Sequence, residues 1–62
     1  MEFIRLTTRN AHLYLNYPIV FKTRGEYIIK KILGVNQKTI RVDHPDLHNN
    51  LDISREIYVL VN

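Results

Sequence analysis

Hydrophobic and polar residues alternate from the start of the chain. Across residues 2 to 9, Ile4 and Leu6 fall on one side and Arg5 and Thr7 on the other, the period-two pattern of a strand with one buried face. Asn10 tolerates left-handed backbone and suits a tight turn into "HLYLNYPIVF", where Leu13, Leu15 and Tyr17 share one face and His12, Tyr14 and Asn16 the other. The pattern predicts a hairpin. Pro18 cannot donate to a central ladder, which predicts an edge position or a bulge that bends the strand around a core.

The middle, "TRGEYIIKKILGVNQKTIRVD", supports two structures. As a helix, Thr23 and Glu26 fit a capping box, Ile28, Ile29, Ile32 and Leu33 form an apolar stripe, and Gly34 falls where a C′ residue would end it. As strands, Gly25 closes a turn, "EYIIKKIL" is a bent strand, Asn36 and Gln37 turn, and "KTIRVD" returns with Ile40 and Val42 facing the core and Arg41 facing out. The β-branched residues of "TIRV" favour a strand for that piece under either reading. The strand reading is adopted for "EYIIKKIL" as well.

In "RVDHPDLHNN", Pro45 biases His44 away from helical backbone, so His44 is an N-cap candidate, Pro45 a first-turn residue and Asp46 an acid favoured at a helix start. A short helical turn over 45 to 50 is expected, pinned by Leu47 and Leu51 and ended by a left-handed Asn49 or Asn50. The tail "LDISREIYVLVN" predicts a last strand with Ile57, Val59 and Val61 on one face and Tyr58 and Leu60 on the other. Both of its faces are apolar.

These elements predict a single small all-β domain over residues 1–62, a five-stranded SH3-like barrel with one short helical turn. The alternative is an α+β arrangement, a β-hairpin packed on one or two short helices. Composition fits either: 45% of the residues are apolar, enough for one core, and the chain has no cysteine, so neither disulfides nor a cysteine-bound metal can brace it. A chain of 62 residues buries only about 60% of its unfolded surface on folding. No run of 18 apolar residues could cross a bilayer, and "MEFIRLTTRN" lacks the apolar stretch of a signal peptide. A cytoplasmic protein without membrane association is expected.

Charge adds a direction. Nine Lys and Arg against six Asp and Glu give +3, and eight of the nine cations precede residue 42 while Asp43, Asp46, Asp52 and Glu56 follow it. A basic front and an acidic back would make a dipolar surface. A pI near 9.5 meets the compositional cue for nucleic-acid binding, and Lys and Arg that merely solvate a small domain would give the same balance.

The octet "LGVNQKTI" resembles the turn and second-helix start of a helix-turn-helix, with Leu33, Gly34 and Val35 at the turn, Asn36 as N-cap and Thr39 and Ile40 as inward anchors. The resemblance implies a DNA-binding regulator presenting Gln37, Lys38 and Arg41 to bases. Two positions depart from the pattern: Lys30 replaces the small residue expected where the helices touch, and Pro45 would stop the second helix early.

Candidate chemistry is sparse. His44 and His48 at i and i+4 could share a face and, with Asp43 or Asp46, hold zinc or a softer transition metal. Such a site needs a rigid frame and supporting hydrogen bonds that this polar loop does not offer, so neither a metal nor another cofactor is expected. The threonines, Ser54 and the tyrosines stand in no nucleophile motif, and the chain has no phosphate loop, dinucleotide fingerprint or paired-carboxylate spacing. No enzymatic activity is expected.

The reading that remains is a non-enzymatic nucleic-acid-binding module. Lys30, Lys31, Lys38 and Arg41 are the phosphate-contacting candidates, Lys22 and Arg24 extend the patch, and an exposed Tyr14 or Tyr27 would stack on bases. The alternative is an interaction or assembly subunit, self-associating or part of a larger particle, through the apolar last strand or the Leu13 to Phe21 edge.

Overall fold

The computed structural model describes all 62 residues. Seven strands run in chain order as β1 (Glu2–Arg5), β2 (Pro18–Thr23), β3 (Glu26–Lys31), β4 (Gly34–Val35), β5 (Thr39–Arg41), β6 (Asn50–Asp52) and β7 (Ile57–Val61). They form two antiparallel sheets, one of four strands in the order β1-β7-β2-β3 and one of three in the order β4-β5-β6. The only helical pieces are 3-10 turns at Ala11–Tyr14 and Pro45–Leu47. The chain is all-β, with seven short strands where five were expected.

The helical reading of residues 23 to 33 fails at its first step. Arg24 and Gly25 both have positive φ, 52° and 80°, and close a two-residue hairpin turn between register partners Thr23 and Glu26. That turn geometry matches the twist of the flanking strands, so β2 and β3 pair along their whole length. The helix-turn-helix resemblance fails for a similar reason. Val35 pairs with Ile40 and Gly34 with Arg41, while the Asn36 N–H donates to the Thr39 carbonyl at 2.8 Å. Residues 33 to 41 are a hairpin.

The expected first hairpin is also replaced. β1 pairs with β7, not with residues 12 to 17. Side chains of "TTRN" close the loop: Thr7 Oγ1 accepts from the N–H groups of Arg9 and Asn10, each at 3.2 Å, while Asn10 accepts from the Thr7 N–H at 2.8 Å and donates to the Arg5 carbonyl at 3.0 Å. These local bonds divert the backbone from a ladder. Asn10 itself keeps right-handed backbone, and Asn16, with φ 70°, makes the left-handed reversal before β2. Leu13, Leu15 and Tyr17 mimic strand alternation but are exposed. Pro18 begins β2, an interior strand, at the first position, where its missing donor is tolerated.

The helical turn expected over residues 45 to 50 forms over Pro45–Leu47 only, and Asn50 already opens β6. Pro45 opens the 3-10 turn, the His48 N–H returns to the Pro45 carbonyl at 2.9 Å, and both His48 and Asn49 are left-handed. Asn49 Oδ1 then accepts the His44 N–H at 2.9 Å and locks the corner. Leu47 and Leu51 face the core as expected.

The core is wholly apolar. Ile19, Phe21, Ile57 and Val59 come from the four-stranded sheet, Ile40 and Leu51 from the three-stranded one, and Leu6, Ala11, Ile32, Val42 and Ile53 from the joints between. Ile32 lies where the chain passes from β3 to β4. Its N–H donates to the Tyr17 carbonyl at 3.0 Å, and the next N–H, of Leu33, donates to the Arg41 carbonyl at 2.8 Å. One sheet is thus handed to the other within two residues.

Candidate nucleic-acid interface

Alternation along β3 fixes the geometry of the basic patch. Ile28 and Ile32 turn toward the core, so Tyr27, Ile29, Lys31 and Leu33 stand on the opposite face. Tyr27 is 75% exposed, Ile29 61% and Leu33 42%. β3 is also the end strand of its sheet, so its far side is open. There a shallow depression of about 490 Å³ is bordered by Ile29, Lys30, Lys31, Leu33, Arg41 and Asp43, among others. Three of the six expected cations meet here.

Arg41 is held in place. Its guanidinium donates to the Leu33 carbonyl at 3.3 Å and passes over Gly34, where a Cβ would lie 3.4 Å from it. Glycine leaves room for that crossing. Lys30 is half-buried, consistent with an apolar stem laid on the core and its charged head at the rim. Asp43 is the one acid in the depression, so cations exceed acids three to one.

Lys22 joins this surface from β2. It is the register partner of Tyr27, and its ammonium lies 5.5 Å from the ring centroid. Arg24 sits on the hairpin tip, where it faces Asp46 across 3.7 Å with both side chains largely exposed. That pairing dilutes Arg24 as a phosphate contact.

Two expected members stand apart. Lys38 lies on the β4–β5 turn beside a separate depression that includes Arg5, Thr7, Asp52 and Ser54. There the Ser54 N–H, donating to Asp52 Oδ1 at 2.9 Å, holds the Asp52 carboxyl below the usual aspartate range, helped by the Ser54 hydroxyl and then the Lys38 charge. Tyr14 is half-buried against the core, edge-on to Tyr17 at 5.3 Å, so it is not the exposed stacking ring that was expected. The basic front and acidic back do not separate either. Arg24–Asp46, Lys38–Asp52 and the Arg41–Asp43 depression interleave the two halves.

The same face carries residues outside the expected site. Phe3 and Arg5 of β1 and Tyr58 and Leu60 of β7 alternate with core residues, and the Arg5 guanidinium lies 5.8 Å from the Tyr58 ring centroid. Alternation in "EFIR" and "IYVLV" was the available signal. β7, expected as a possible pairing edge, lies between β1 and β2 and has both sides occupied. His44 and His48 flank the corner's 3-10 turn, the His44 ring lies 6.3 Å from that of Phe21, and no three metal-ligating side chains come together.

No protein-family model matches the chain, and no curated protein or solved structure is significantly similar to it. No helix is long and apolar enough to cross a membrane.

Proposed function

We propose that the chain is a non-enzymatic module of SH3-like build that binds DNA or RNA in the cytoplasm without a cofactor. The observation that carries this reading is the depression beside β3, where Lys30, Lys31 and Arg41 gather next to the exposed apolar Ile29 and Leu33. Phosphates attract such a cluster regardless of sequence, and Lys22 and Tyr27 continue it along the strand. Arg41, pre-positioned by the Leu33 carbonyl, loses little freedom on binding.

The test is an electrophoretic titration of the protein with DNA and RNA at two salt concentrations, beside a Lys31→Glu, Arg41→Gln variant. Binding that weakens with salt and is largely lost in the variant supports the reading. Absence of binding at low salt removes it.

A second reading, a protein-assembly subunit, rests on Leu13, Leu15 and Tyr17, all exposed around the first 3-10 turn. It predicts self-association in sedimentation that is abolished by Leu13→Ser and indifferent to salt.

A further inference from the structure

The outer face of the four-stranded sheet holds three aromatic rings that the core does not use. Phe3 is 62% exposed, Tyr27 75%, and Tyr58 is half-buried between neighbours on its own face. Register arranges them in order across the sheet. Phe3 on β1 lies opposite Leu60, Tyr58 on β7 lies between Arg5 and Val20, and Tyr27 on β3 lies opposite Lys22. Ideal strand spacing puts neighbouring members of this diagonal on the order of 8 to 12 Å apart at their backbones. Between them the face is apolar, with Val20, Ile29 and Leu60.

Charges frame the rings. Arg5 lies 5.8 Å from the Tyr58 centroid and Lys22 5.5 Å from that of Tyr27, and Lys31 follows Tyr27 and Ile29 on the same face. The acid nearest the rings on this face is Glu56, whose carboxylate accepts the Tyr58 hydroxyl at 3.2 Å. Cations therefore outnumber acids around the rings. An apolar partner would not need that excess, and a polyanion would.

Resting on the nucleic-acid reading above, we infer that this face is the platform for an unpaired stretch of nucleic acid, with bases on Phe3, Tyr58 and Tyr27 and phosphates on Arg5, Lys22 and Lys31. A duplex keeps its bases stacked on one another and offers this face only phosphates, so the exposed rings would gain nothing from it. Unpaired bases can lie flat on side-chain rings, and a sheet presents several rings at fixed spacing. The rings add Phe3, Arg5 and Tyr58 to the binding surface. They also extend it from the β3 depression, through Ile29 and Lys31, across all four strands.

The test is a fluorescence-anisotropy titration with a 12-nucleotide RNA, the matching DNA single strand and a duplex of the same length. It compares the native chain with Phe3→Ala, Tyr27→Ala and Tyr27→Phe, each checked by circular dichroism to be folded at the assay temperature. Either single strand is expected to bind at least about tenfold tighter than the duplex. Each alanine variant is expected to weaken single-strand binding about fivefold or more, Tyr27→Phe to retain it, and Phe3→Ala, outside the β3 patch, to leave duplex binding unchanged. Equal affinity for single strand and duplex, insensitive to the alanine changes, overturns the platform and leaves the basic patch standing. Failure to bind any of the three probes overturns both.

Discussion

The Lys22 ammonium lies 5.5 Å from the centroid of the Tyr27 ring, across the β2–β3 ladder where the two residues are register partners. Both side chains are on the solvent face, so the attraction between them is worth only about 0.5–1 kcal/mol. Tyr27→Ala and Lys22→Gln should each cost less than about 1 kcal/mol in urea unfolding, because neither ring nor ammonium belongs to the core. A larger loss would mean that the pair serves the fold rather than a ligand.

The hairpin tip makes a backbone prediction. Gly25 has φ 80° and a Cβ there would touch nothing within 4 Å, so Gly25→Ala tests conformation alone. It should lose about 1 kcal/mol, which in a domain of this size lowers Tm by roughly 4–8 °C. Chemical synthesis is feasible for 62 residues, and D-alanine at position 25 should restore the native Tm.

Most of the strands were legible because their residues alternate between core and solvent: Ile4 and Leu6, Ile40 and Val42, Ile57 and Val59 all face inward as their spacing predicts. The corner at Pro45 was legible because Pro45 and Asn49 have strong backbone preferences, whereas the left-handed turn of His48 had no such signal. Residues 10 to 17 were not. Leu13, Leu15 and Tyr17 alternate as a strand would, and only the hydrogen bonds of Thr7 and Asn10, together with the burial of Ala11, show that the segment packs as a turn. The basic patch was half legible. A charge count finds Lys30, Lys31 and Arg41, but not that Lys38 falls in another depression or that Arg24 meets Asp46, since both depend on how the two sheets are joined.

That joint is Ile32, fully buried where β3 gives way to β4. Ile32→Ala should cost about 2–5 kcal/mol, and Ile32→Val about 0.5–1.5 kcal/mol, read from urea unfolding. A small domain has little stability to spare, so the alanine variant should be largely unfolded at 37 °C. A native-like melt for Ile32→Ala would contradict the packing described.

Asp52 gives the acid limb its shape. The Ser54 N–H holds its carboxyl below the usual aspartate range in the folded chain, so its contribution is complete above the unfolded-state value and disappears as pH falls through the folded value. Asp52→Ala should therefore melt below the native chain at pH 7, with the gap closing under acid conditions below about pH 4. Thermal melts across that range check the sign. A gap that widens on acidification would contradict it.

If Lys30, Lys31 and Arg41, continued by Lys22, meet phosphates on one surface, the slope of log affinity against log salt for a single-stranded oligonucleotide reads it directly. A slope of about −2 to −4 is expected for the native chain, with a reduction in steepness of about 0.7 for Lys31→Gln, one released counterion for one lost cation. Lys38→Gln, on the β4–β5 turn where its charge faces Asp52, should leave the slope unchanged. A flat salt dependence, or equal changes from Lys31→Gln and Lys38→Gln, would contradict the assignment of the surface.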